Sequence, residues 1–160
     1  MDIVLIAGLW LGGSVWGDVA AQLEARGHRA VPVTLPGQGD GNVSATLADQ
    51  VAAVVAAVDA AAGRPMVVGH SAACSLAWLA ADARPGKVSK VALVGGFPAQ
   101  GGETYFGGFP VQDGVMPFPG LGRVRRAGLR RSGRCREAGH RIGCDPGPRR
   151  GHSRGHQAGR

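Results

Sequence analysis

The residue types that could carry out chemistry are concentrated at Gly69-His70-Ser71-Ala72-Ala73. An apolar run, Met66 to Val68, ends just before this segment, and a stretch of small residues with helical character follows it. This order predicts a strand, a sharp turn and a helix, with Ser71 at the turn. A serine in such a turn is exposed and lies beside a helix N-terminus, whose amide groups favour negative charge. We therefore predict that Ser71 is a nucleophile.

Apolar strands alternate with helical segments through the first 98 residues. The alternation is typical of an α/β fold with a parallel sheet. Right-handed crossovers would place the first and third strands side by side, with the second outside the first. The loops after the first and third strands would then share a crevice at the carboxyl ends of the strands. The expected elements are a strand at 3–7, a helix from Ser14 (its cap) to about 26, a strand at 30–35, a helix at 47–62 capped by Thr46, a strand at 65–68, a helix at 72–83 and a strand at 90–94.

Three motifs follow these strands in order. The segment Gly69 to Ala73 resembles a G-x-S-x-G nucleophile elbow, with Ala73 where the last glycine usually stands. The segment Ala7-Gly8-Leu9-Trp10 resembles an H-G-x-W loop with Ala7 in place of histidine, and residues 35–39 resemble an L-P-G-H-G segment. Together these motifs resemble the α/β-hydrolase fold family, within its small serine esterases and lipases. The resemblance covers residues 2–98 and extends to 99–120, and it implies a partial α/β-hydrolase fold with a short, mostly parallel sheet flanked by helices.

The resemblance implies a carboxylic ester or amide hydrolase that works by acyl transfer through Ser71. The backbone N–H groups of Leu9 and Ala72 would form the oxyanion hole, and loss of one such donor costs about 3 kcal/mol in comparable enzymes. The elbow and loop glycines would be Gly69 and Gly8, the latter because it lets the backbone approach closely. The expected partner is a small-molecule ester or amide.

The base and acid that such a serine needs are not identifiable from the sequence. A serine hydroxyl is a weak nucleophile without a base, and a histidine needs a carboxylate to fix its tautomer. The histidines after Ser71 are His140, His152 and His156, in a segment without strand-like runs, and Asp113 or Glu103 would be an unusual acid. We therefore expect an inactive or impaired chain and leave open whether it is an enzyme.

The charge of the chain changes sharply near residue 120. Residues 1–119 contain 6 Lys/Arg and 9 Asp/Glu, a net charge of −3, and residues 120–160 contain 12 Arg and 2 acids, a net charge of +10. All eight aromatic residues precede position 119. The last segment therefore lacks the apolar surface that offsets ordering entropy. We predict the N-terminal part of an α/β-hydrolase domain at 1–98, an irregular lid-like segment at 99–119 and a disordered Arg/Gly-rich tail at 120–160.

Two explanations for this tail remain open. Arg and Gly codons of a GC-rich gene, read one base later, become codons for Ala, Asp, Glu, Val and Gly, which are abundant before position 119. One hypothesis is therefore that a frameshift replaced the second half of a hydrolase. The alternative is a non-catalytic binding protein whose basic tail binds nucleic acid or another partner with strong salt dependence. The tail's lack of aromatic residues argues against nucleic acid.

The remaining features favour plain structural roles. Ser71 could instead be a helix N-cap, and we interpret His70 and Trp10 as cleft-lining residues rather than as catalytic groups. Gly37 and Gly39 are interpreted as turn residues rather than as a phosphate loop, because no G-K-[ST] sequence follows them. We expect no cofactor and no metal. The three cysteines share no framework spacing, and no stretch approaches the length of a membrane span. We expect a cytoplasmic protein, and the oligomeric state is unreadable.

Overall fold

The computed structural model describes residues 1–102, Tyr105 and residues 109–120. The strands are β1 (Asp2–Ile6), β2 (Arg29–Val33), β3 (Met66–His70) and β4 (Lys90–Val94). The helices are α1 (Gly17–Glu24), preceded by a 3₁₀ helix at Gly13–Trp16, then α2 (Leu47–Asp59) and α3 (Ala73–Ala83). Met1–Phe118 form one compact unit. The predicted tail, its histidines and Glu103 lie outside the described residues.

The four strands form one parallel sheet in the order β2-β1-β3-β4. β1 and β3 are central and in register, with Ile6 paired to Gly69. Because both strands end at the same edge, the loops that follow them start side by side. This confirms the predicted strand order and the α/β fold class.

Side chains of β1 alternate between the two faces of the sheet, as the two-residue period of a strand requires. On one face, Val4 and Ile6 join a buried cluster with Val54 and Val58 of α2 and Leu76 of α3. On the other face, Ile3 and Leu5 pack with Val68 and the partly buried Trp16. Burial on both faces explains why β1 is a continuous apolar run.

The two predicted helix caps had different outcomes. Thr46 caps α2 as predicted: its hydroxyl accepts from the amide of Asp49, and the Asp49 carboxylate accepts from the amide of Thr46. The prediction for Ser14 was wrong. Ser14 lies inside the 3₁₀ helix, α1 begins only at Gly17, and neither helix start has a side-chain cap.

The segment after β4 is irregular in its described part. One antiparallel bridge joins Gln112 and Val115, and the partly buried Tyr105 packs against the cluster of α2 and α3. Its lid-like character and the three domain boundaries stay predictions. None of the described helices has the length and apolarity to cross a bilayer, and cytoplasmic localisation also stays a prediction.

Candidate active site

Ser71 stands between β3 and α3 in a left-handed backbone conformation. Its φ is +54°, which few residues other than glycine adopt. Its amide donates to the carbonyl oxygen of Val94 on β4 at 2.8 Å, and its own carbonyl accepts from the amide of Cys74 at 3.1 Å. These bonds hold the residue in a conformation of the kind that clusters at active sites. The turn therefore has the sharpness that the sequence predicted.

Gly69 lets α3 lie close against β3. A Cβ at this position would stand 2.5 Å from the carbonyl oxygen of Ala73 and 2.9 Å from the Cβ of Ala77. Real Cβ atoms do not approach backbone atoms so closely, so the contact needs glycine on the strand and small residues on the helix. The small residues after Ser71 thus position the start of α3 next to the turn.

Gly8 brings the loop after β1 against the turn. A Cβ on Gly8 would lie 2.9 Å from the carbonyl oxygen of His70 and 3.0 Å from the Cβ of Ser71. Leu9 follows directly, and Ala72 begins the turn into α3. Within the described residues, the amides of Leu9 and Ala72 donate to no protein acceptor. Their role as oxyanion donors stays a prediction.

Gly96 is a contact of Ser71 that sequence reasoning missed. A Cβ on Gly96 would overlap the carbonyl oxygen of Ser71 and stand 3.1 Å from the Sγ of Cys74. The only sequence signal is a pair of glycines after β4, which is compatible with many loops. The structure thus places three loops, those after β1, β3 and β4, around Ser71.

The neighbouring nucleophile candidates are engaged in structural bonds. The thiol of Cys74 is fully buried and donates to the carbonyl oxygen of Gly69 at 3.3 Å, and burial raises the pKa of this thiol. The hydroxyl of the buried Ser75 accepts from the amide of Ala99 at 2.8 Å. Ser71, which is only partly buried, is therefore the accessible one of the three.

The described residues supply no acid and base for Ser71. His70 is half-buried, and its ring contacts Trp16 edge-on at a centroid distance of 6.3 Å. Asp113 is exposed at a tight turn closed by hydrogen bonds between Gln112 and Val115. In this part of the chain, no hydrogen bond joins Ser71 to a histidine or carboxylate, and no three His, Cys, Asp or Glu side chains lie close enough to share a metal ion.

Trp10 joins the loop after β1 to the segment 109–118. Its indole N–H donates to the carbonyl oxygen of Met116 at 3.0 Å. Its ring contacts Phe109 and Phe118 edge-on, at centroid distances of 4.9 and 5.5 Å. The backbone of Trp10 also has an uncommon conformation, with a positive φ of +64°. The side-chain contacts of Trp10 therefore fix the position of the residue that directly follows Leu9.

A cavity of about 660 Å³ opens beside Trp10. Its described wall comes from the loop after β1, the loop between β2 and α2, Gln50 of α2, and residues 114–118. Leu9 and Trp10 belong to this wall, whereas Ser71 and His70 do not. Trp10 thus lines this cavity, and the cleft-lining roles expected for Trp10 and His70 beside Ser71 both stay predictions.

Comparison with known families gives a match over most of the chain. The model of the "Alpha/beta hydrolase family" matches residues 3–154. The match extends beyond the described residues, and it runs farther than the motifs predicted. A comparison with curated protein sequences gave no match.

Several solved structures resemble part of the chain. A pyrethroid hydrolase from Sphingobium faniae JZ-2 is 31% identical with a TM-score of 0.53, over 58% of this chain and 38% of its own. An extracellular alpha/beta-hydrolase from a Paenibacillus species is 22% identical with a TM-score of 0.58, over 62% and 42%. Polyneuridine aldehyde esterase is 23% identical with a TM-score of 0.54, over 61% and 40%. The matched part of the chain thus spans about two fifths of the length of these structures.

Proposed function

The chain belongs to the alpha/beta hydrolase family, and on that premise we propose that Ser71 is the nucleophile of a carboxylic ester hydrolase. The observation that carries the proposal is the left-handed turn at Ser71, φ +54°, with the backbone of Gly8 packed against it. The names of two similar proteins, a pyrethroid hydrolase and polyneuridine aldehyde esterase, support a small-molecule ester over an amide.

In the proposed reaction, the Oγ of Ser71 attacks the acyl carbon of the ester. The Oγ–C bond forms, the carbonyl π electrons move to the oxygen, and the hydroxyl proton passes to a base. The amides of Leu9 and Ala72 donate to the developing oxyanion, and each such bond is worth about 3 kcal/mol in the transition state. The alkoxide then leaves as an alcohol after taking up a proton, and water releases the acid from Ser71.

We propose that the chain carries out this reaction slowly. Among the described residues, no histidine or carboxylate is bonded to Ser71, so the hydroxyl proton has no protein acceptor there. An oxyanion hole and binding alone retain about 10³- to 10⁴-fold acceleration over water. An added soluble base should therefore raise the reactivity of Ser71, because it accepts the proton for which the described residues offer no acceptor.

Fluorophosphonate labelling in the presence of imidazole tests the proposal. We expect labelling of the full chain to rise with imidazole concentration, to map to Ser71 and to disappear in Ser71→Ala. Ser89→Ala is the matched control, since the Ser89 hydroxyl donates to the carbonyl oxygen of Pro65 and lies in another loop. A chain that unfolds cooperatively in urea but is never labelled at Ser71, even in molar imidazole, would overturn it.

A further inference from the structure

We propose that the cavity beside Trp10 binds the apolar arm of an uncharged ester. The inference rests on the proposed function of Ser71 and adds to it the chemical class of the substrate. The cavity has a volume of about 660 Å³, which lies within the range of about 300–1,000 Å³ usual for small-molecule sites. An aryl group or a medium-length alkyl chain fits this volume.

The chemistry of the wall selects against charge. Apolar groups come from Trp10, Val43, Met116 and Phe118, and none of the described residues of the wall is Asp, Glu, Lys, Arg or His. A charged group placed against such a wall loses hydration without gaining a partner. An uncharged, largely apolar group is therefore the ligand that the wall fits.

The acid of the loop between β2 and α2, Asp40, forms hydrogen bonds within its own loop. The carboxylate of Asp40 accepts from the amide of Gly37 at 3.1 Å and from the amide of Asn42 at 2.9 Å. These bonds hold the pKa of Asp40 below its ordinary value, so the group stays ionised and engaged. It is absent from the cavity wall, and its charge is directed to the backbone of its own loop.

The polar side chains of the wall include uncharged amides, which can form hydrogen bonds to an ester. Two of them are oriented by the protein: the side-chain nitrogen of Gln50 donates to the carbonyl oxygen of Pro36 at 2.9 Å, and the Oδ1 of Asn42 accepts from Ser44. Fixed amides beside apolar side chains are a usual means by which a small-molecule site orients a neutral ligand.

The cavity adjoins the proposed reaction centre through Leu9. Leu9 forms part of the wall and carries one of the proposed oxyanion amides, and the preceding Gly8 packs against Ser71. An ester whose carbonyl oxygen accepts from the amide of Leu9 can therefore extend one arm past this residue into the cavity.

Binding can be measured without catalysis in the Ser71→Ala chain. Further replacement of Trp16 and Trp78 by Phe leaves Trp10 as the only tryptophan, so its fluorescence reports on the cavity. We expect benzyl butyrate to quench this fluorescence saturably. The monobenzyl ester of succinic acid, similar in size but carrying a carboxylate, should bind at least about tenfold more weakly.

Two exposed valines provide a matched pair of variants. Val43 lies in the cavity wall and is 64% exposed, whereas Val111 lies outside it and is 60% exposed, so Asp is tolerated at both. Val43→Asp should weaken benzyl butyrate binding about tenfold, and Val111→Asp should leave it unchanged. Equal affinity for the two esters, equal effects of the two variants or no saturable quenching would overturn the inference. Saturable binding together with an unlabelled Ser71 would instead reject the proposed function and leave the neutral-ligand site.

Discussion

Gly8 presents its bare Cα to Ser71, so closely that a Cβ on Gly8 would lie 3.0 Å from the Cβ of Ser71. The contact follows from the register of the sheet, in which Ile6 of β1 pairs with Gly69 of β3. Two residues after each paired position, the chain reaches Gly8 and Ser71. The amides of Leu9 and Ala72, one residue farther on in each loop, are therefore positioned by the same strand pair.

Replacing Gly8 by Ala should lower the imidazole-assisted labelling rate of Ser71. The new Cβ would meet the carbonyl oxygen of His70 at 2.9 Å, so the loop must shift and move the Leu9 amide. Loss of one oxyanion donor costs about 10²- to 10³-fold in rate. Gly86→Ala is the control, because a Cβ there would meet nothing within 4 Å and the residue lies outside the cavity wall. Equal labelling rates in the two variants would contradict the assignment of Leu9.

Replacing Gly69 by Ala should destabilise the whole chain. The Cβ would stand 2.5 Å from the carbonyl oxygen of Ala73, so α3 must move off β3. Overpacking of this kind costs about 1–3 kcal/mol of unfolding free energy. Urea titration followed by circular dichroism measures it, with Gly63→Ala as the control since its Cβ meets nothing within 4 Å. Equal urea midpoints for the two variants would show that α3 is not packed tightly on β3.

Trp10→Phe should loosen the segment 109–118. The substitution keeps an aromatic ring against Phe109 and Phe118 but removes the hydrogen bond to the carbonyl oxygen of Met116. A bond worth about 1 kcal/mol changes the local opening equilibrium about fivefold. We expect thermolysin to cleave near Val111 and Val115 about fivefold faster than in the parent chain. Trp78→Phe is the control, because this residue is 54% exposed, and it should leave the cleavage rate unchanged. A similar increase in cleavage rate in Trp78→Phe would argue against the role of Trp10.

The strand order and the turn at Ser71 were predictable because both depend on local patterns. Buried parallel strands are continuous apolar runs, and glycine next to serine marks a tight turn. The cavity was not predictable, since it requires residues 114–118 to pack on loops about seventy residues away in sequence or more. The role of Gly96 was not predicted because it also depends on a contact between residues distant in sequence. The predicted cap at Ser14 was wrong because the chain enters a 3₁₀ helix one residue earlier, at Gly13.

Nucleotide sequencing across codons 118–124 tests the origin of the Arg/Gly-rich segment. The frameshift hypothesis predicts a single-base insertion or deletion whose removal restores a frame rich in Ala, Asp, Glu and Val. The family match through residue 154 includes part of this segment. An unbroken frame without a one-base alternative would reject the hypothesis.

The Asp2–Arg29 ion pair should make stability depend on pH at the start of β1 and β2. The hydrogen bond from the Arg29 guanidinium, with a smaller contribution from the amide of Ala62, lowers the pKa of Asp2 from 3.8 to about 2. Because the folded pKa is depressed, this contribution is complete above about pH 4 and is lost as the pH falls toward 2. In urea titrations, the midpoint difference between the parent chain and Asp2→Asn should therefore be constant from pH 7 to about pH 4 and then shrink. Asp82→Asn is the control, since Asp82 is exposed and forms no ion pair within the described residues. A difference in urea midpoint between the parent chain and Asp2→Asn that persisted unchanged at pH 2 would contradict the pKa assignment.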